Sequence, residues 1–141
     1  MTEHKTYPHL YAGREVTGQN TFLSRNSSDL SDVLGAFPEA TPEQVREAAQ
    51  AAKDAFPAWS RTPAPIRGQV IGLIGQAIEQ QKEALSQLIT REMGKTLKEA
   101  RGDVQEAIDT CYFFQSEGRR LYGQTVPSEM PNKDLMTYRR P

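Results

Sequence analysis

The sequence predicts a mostly α chain with a short amino-terminal β-hairpin region and a carboxy-terminal strand, together forming an incomplete domain. Three observations lead there. After residue 40, apolar residues recur at helical spacing in three long stretches. Before residue 40 they fall in short runs interrupted at Ala12-Gly13 and Thr17-Gly18, the punctuation of tight turns between short strands. The strands found this way are too small to form the central sheet that amphipathic helices would cover. A mean hydropathy of −0.65 agrees with an outer layer lacking its core strands.

The hairpin region spans residues 8–26, and "DVLGAFPEA" adds an extended segment from Asp32 to Phe37 that Pro38 stops. Thr41-Pro42-Glu43-Gln44 starts a helix over 42–60. Thr41 accepts from the Gln44 N–H, Gln44 reaches back, and Pro42 suits the first turn. Val45, Ala48, Ala49, Ala52, Ala55, Phe56 and Trp59 give it a narrow, alanine-rich stripe. A second helix runs over 63–93 with Ile66, Val70, Leu73, Ile74, Ala77, Ile78, Leu85, Leu88 and Ile89 on one face and "EQQKE" towards water. The third, over 97–122, carries Leu97, Ala100, Val104, Ala107, Ile108, Cys111, Phe114 and Leu121 and stops near Gly123. Pro127 and Pro131 mark a connection, and "DLMTYRRP" has strand character.

Gly94-Lys95-Thr96 matches the end of a phosphate-binding loop, but Ile89 stands where that loop needs its first glycine, and the preceding residues are helical, not a strand. A helix-to-helix corner accounts for the tripeptide better. Gly94 suits the left-handed residue that ends a helix, and Thr96 with Glu99 forms the capping box of the next.

Seventeen basic and eighteen acidic residues give a net charge of −1, so no broad field draws in nucleic acid or an anionic membrane. No apolar run approaches the roughly 20 residues of a membrane span, and "MTEHKTYPHL" lacks the apolar core of a signal peptide. A cytoplasmic location is the expectation. His4, His9 and the single Cys111 make no transition-metal cluster and no internal disulfide. Cys111 sits on the apolar stripe with no histidine near it in sequence, which reads as packing and not as a nucleophile.

The hairpin, "AAKDAFPAWS", Arg67 in the next helix, "REMGKTLKEA" and "YFFQSEGRRLYGQTVPS", in this order, resemble the amino-terminal region of the aldehyde dehydrogenase superfamily from about Leu10 to Pro141. Within it the look is closest to semialdehyde dehydrogenases such as that of α-ketoglutarate semialdehyde. The resemblance implies an α/β fold and NAD(P)-dependent oxidation of an aldehyde or semialdehyde to a carboxylate by a homo-oligomer. In that chemistry a cysteine thiolate attacks the carbonyl, hydride passes to nicotinamide, and a glutamate-activated water hydrolyses the thioester. The residues that resemblance assigns to those steps, and its glycine-rich cofactor turn, have no counterpart among these 141. The chain is therefore expected to be the amino-terminal part of such an enzyme, binding no cofactor and inactive alone. Residues 1–132 would belong to the cofactor-binding domain and 133–141 to the start of an oligomerisation arm. A free-standing helical module that binds full-length subunits is the alternative.

The resemblance also implies two sites. The helix matching "DVQEAIDTCYFF" borders the family's substrate tunnel, so Glu106 and Thr110, one turn apart, would face it; a solvated or ion-paired Glu106 is the alternative. A monovalent cation would be held by Ser24, the Arg25 carbonyl and Glu92, hard oxygen ligands, unless Glu92 pairs instead with Lys95 or Arg91.

Overall fold

A computed structural model describes residues 4–140. Its elements are three two-stranded antiparallel ribbons and four helices.

The first ribbon joins β1 (His9–Tyr11) to β2 (Arg14–Val16) through Ala12 and Gly13, with φ of 53° and 70°. Two consecutive left-handed residues make the turn whose twist matches a hairpin. The second ribbon pairs β3 (Thr21–Asn26) with β4 (Asp29–Pro38). β4 is longer than the expected 32–37 and includes Pro38, which lies at its end opposite Thr21. The turn is set by Asn26, whose Oδ1 accepts from the Ser28 N–H at 2.9 Å. The residues before β1 flank β4: Ala36 N–H donates to the Lys5 carbonyl and Tyr7 N–H to the Ala36 carbonyl, both at 2.9 Å. Tyr7 then stacks on Phe37, ring centroids 5.0 Å apart. Gly35 beneath it leaves no room for a side chain, since a Cβ would sit 2.5 Å from the Tyr7 ring.

Helix α1 (Pro42–Arg61) begins at the Thr41–Gln44 capping box. The expected helix over 63–93 is two: α2 (Ala64–Gln80) and α3 (Lys82–Met93), broken at Gln81 with φ −108° and ψ 10°. Nothing apolar lies between Glu79 and Glu83 to hold one straight rod against a neighbour. The break turns α3 onto the first half of α4 (Leu97–Glu117). There Lys82 Nζ donates to Gln105 Oε1 at 2.5 Å, and Arg101 donates two hydrogen bonds to Glu83 at 2.8 and 2.9 Å. Those bonds hold the Glu83 carboxyl below the usual carboxylate range. α4 ends at Glu117, short of the expected 122, because Gly118 passes against α2, where a Cβ would be 2.6 Å from the Ala64 carbonyl oxygen.

A second correction concerns which face of α2 is inside. Its Ile66, Val70, Leu73 and Ile74 are 39–62% exposed, while Gly68, Gly72 and Gly75 are buried against α4. A Cβ on Gly68 would meet the Gln115 carbonyl oxygen at 2.5 Å. The glycines let two helices approach more closely than side chains would permit. The buried apolar residues of the helices are Ala100, Val104 and Ile108 of α4, and Ser86 of α3 is also fully buried, its Oγ donating to the Lys82 carbonyl at 2.7 Å.

The carboxy-terminal strand is β6 (Asp134–Met136), shorter than expected. It pairs with β5 (Thr125–Pro127), a strand within the stretch that Pro127 and Pro131 mark as a connection in the sequence.

Candidate functional site

Three places concern function: the outer face of α4, the junction of β3 with α3, and the α3–α4 corner.

On α4, Glu106 and Thr110 are both exposed and one turn apart. Neither makes a side-chain hydrogen bond or ion pair among the described residues, so Glu106 is not drawn into the ion-pair network on the α3 side. Phe113 and Phe114 continue outward at 56% and 55% exposure, in edge-to-face contact with centroids 5.3 Å apart. Glu106 and Thr110 thus offer a carboxylate and a hydroxyl on the helical turns just before these exposed rings. On the other side of α4, Cys111 is half-buried against α2, its Cβ 2.8 Å from where Gly75 would carry one. Its neighbour Tyr112 donates to Glu79 Oε2 at 2.8 Å, and that bond raises the phenol above its ordinary value. The cysteine belongs to helix packing.

At the second place, β3 is irregular from Ser24 to Asn26, where register shifts bracket Arg25. The Arg25 side chain turns away to donate to the Leu30 carbonyl at 2.7 Å. The strand end is tied to α3 by Arg91, which donates to both Asp32 oxygens at 2.9 and 2.6 Å, and by Ser27 N–H to the Arg91 carbonyl at 3.3 Å. Arg91, followed by Asn26, holds the Asp32 carboxyl below the usual range. Arg91 is therefore spent on Asp32 and Lys95 on Asp103, leaving Glu92 exposed with no ion pair among the described residues. Ser24 and Arg25 lie at the irregular end of β3, and Glu92 lies on α3, which packs against that strand. Among the described residues no group of three His, Cys, Asp or Glu side chains is placed to hold a metal.

At the corner, Gly94 has φ 75° and donates to the Thr90 carbonyl at 2.9 Å. Thr96 and Glu99 exchange their capping bonds at 3.1 and 3.3 Å, and Lys95 pairs with Asp103. Two of the N–H groups at this helix start, those of Thr96 and Glu99, are thus used within the capping box.

The comparisons agree with this architecture. An NAD-dependent aldehyde dehydrogenase from Sinorhizobium meliloti superposes with a TM-score of 0.89 at 27% identity, over 98% of this chain and 28% of that one. Lactaldehyde dehydrogenase from Escherichia coli gives 0.88 at 25% identity, over 96% and 29%. The family model described as "Aldehyde dehydrogenase family" matches residues 16–141. The chain belongs to the aldehyde dehydrogenase family, and corresponds to its amino-terminal region. Among curated relatives, an aldehyde dehydrogenase family 7 member A1 homologue of Dictyostelium discoideum is 45% identical over 74% of this chain and 20% of its own length. The α-ketoglutaric semialdehyde dehydrogenase of Bacillus subtilis (strain 168) is 33% identical over 100% of this chain and 29% of its own length. The chain thus spans between a fifth and three tenths of these relatives. No helix among the described residues is long and apolar enough to cross a membrane.

Proposed function

We propose that this chain forms the outer helical layer of the cofactor-binding domain, residues 1–132, and the start of an oligomerisation arm, residues 133–141, of an NAD(P)-dependent enzyme that oxidises an aldehyde or semialdehyde to a carboxylate. The observation that carries this reading is the superposition on an NAD-dependent aldehyde dehydrogenase over nearly the whole chain at 27% identity. The nicotinamide would supply hydride acceptance, and residues outside this sequence would hold it and supply nucleophile and base. In this reading the chain by itself is inert, with Cys111 packed against α2.

In this reading Glu106 and Thr110 present their polar atoms to the substrate, and Ser24, Arg25 and Glu92 hold a structural monovalent cation that fixes the end of β3. A carboxylate at Glu106 repels a second carboxylate beside it, so the preferred aldehyde carries no anionic group at that depth.

The test is a chimera in which residues 1–141 replace the matching segment of the B. subtilis relative. It should fold and reduce NAD or NADP with an aldehyde. Glu106→Gln in it should raise kcat/KM for anionic semialdehydes relative to neutral aldehydes and leave the cofactor KM unchanged. A folded chimera with no activity towards any aldehyde would end the proposal, and steady NAD(P)H formation by the 141-residue chain above a Cys111→Ser control would end the claim that it is inert.

A further inference from the structure

Arg67 of α2, Leu121, Arg139 and Arg140 line one open cavity of about 360 Å³. The crossing that brings them together is tight. Gly123 runs so close to the residue after β6 that a Cβ would lie 1.9 Å from the Thr137 carbonyl oxygen, and Thr137 N–H donates to the Gln124 carbonyl at 3.0 Å. That crossing fixes where the chain emerges, and the two residues following Tyr138 return to the first turn of α2 beside Arg67.

None of the three guanidiniums joins an ion pair among the described residues. Arg67 Nε is buried with no hydrogen-bond partner. The carboxylate that shares a neighbouring cavity with Arg67, Glu117, is taken by Arg120, which donates to its Oε1 from Nε at 2.8 Å. Three like charges around one cavity repel, and a buried N–H without an acceptor is costly. One oxyanion relieves both, because a guanidinium presents paired N–H donors at the spacing of phosphate or carboxylate oxygens.

We propose that Arg67, Arg139 and Arg140 form a binding site for a small free oxyanion of the phosphate class. The site adjoins the end of α4, where Arg67 shares a cavity with Phe114 and Glu117, but it requires none of the roles proposed for Glu106 and Thr110.

The experiment is arginine modification by phenylglyoxal on the full 141-residue chain, mapped residue by residue by mass spectrometry. Millimolar inorganic phosphate should slow modification of Arg67 several-fold and leave Arg46, on exposed α1, unaffected. The double variant Arg139→Ser/Arg140→Ser, changed only at exposed positions, should keep its helical circular dichroism and lose the protection. Three results would overturn the proposal. Sodium chloride at matched ionic strength could protect Arg67 equally, which is screening. Protection could persist in the double variant. Or Arg67 could become protected with rising protein concentration and no phosphate, which would place the carboxylate of a second copy in the site.

Discussion

The α2–α4 seam and the contact between α1 and the first ribbon are built from opposite materials. α1 is the most strongly amphipathic of the four helices, yet none of its residues is buried. It is held to the ribbon by exposed polar contacts: Tyr11 to Glu47 at 3.1 Å, Arg14 to Glu47 at 3.5 Å, and Gln44 to the Thr17 carbonyl at 3.2 Å. Between them a cavity of about 280 Å³ opens beside Leu10, Val45 and Ala48. α2 has the weakest amphipathic pattern and is packed tightly, through glycine. Amphipathicity therefore marks the face that some surface is meant to cover. It does not mark where this chain has covered one.

Substitutions at the seam and on α1 should separate the two. Ile108, 1% exposed, is the largest fully buried side chain among the described residues. Ile108→Ala should cost about 2–5 kcal/mol, read from the shift of a urea midpoint. Gly68→Ala, the addition of one methyl group, should cost about 1–3 kcal/mol because the atom it meets is backbone and cannot turn aside. If the midpoint fails to move, the seam is looser than its geometry. Smaller again is the latch between β4 and α3. Asp32 titrates lower folded than unfolded, so its contribution is complete above its unfolded value of about 4 and is lost as pH falls through the folded value. Asp32→Asn should remove that acid-dependent step from a circular dichroism titration, lowering stability modestly at neutral pH and changing little once pH is below the folded value. The smallest effect belongs to α1. Phe56→Ser with Trp59→Ser, at residues 53% and 43% exposed, should leave the urea midpoint within about 0.5 kcal/mol per site while reducing binding of a hydrophobic dye. A large loss there would mean that α1 is packed in solution in a way the seam comparison denies.

What could be read from the sequence was local chemistry. Thr41 with Gln44 and Thr96 with Glu99 each declare a helix start because both hydrogen bonds of the box close within four residues, and Gly94 declares an end because few other residues take its φ. The α2 glycines were silent. Periodicity counts apolar side chains, and a buried glycine adds none, so Ile66, Val70, Leu73 and Ile74 mark a face that is left largely exposed. Gln81 was silent too, for no glycine or proline announces the break; what holds α3 at its angle is Lys82 and Glu83 reaching residues 105 and 101 of another helix. The same division runs through the sites. Glu106 and Thr110 were legible because one helical turn puts them side by side, whereas Arg67 meets Arg139 and Arg140 across some seventy residues only once the chain has crossed at Gly123.

Gly94 has a consequence in the kinetics of opening. A Cβ there would lie 2.6 Å from the Ser27 hydroxyl, so the bend after α3 is seated against the β3–β4 turn that Arg91 also grips. Neither piece can lift away without releasing the other. Amide protons at the tip of that ribbon and in the last turn of α3 should accordingly exchange with solvent at one shared rate, as a single unit that opens and recloses together, while the β1–β2 ribbon, tied to α1 through exposed polar groups, should exchange on its own clock.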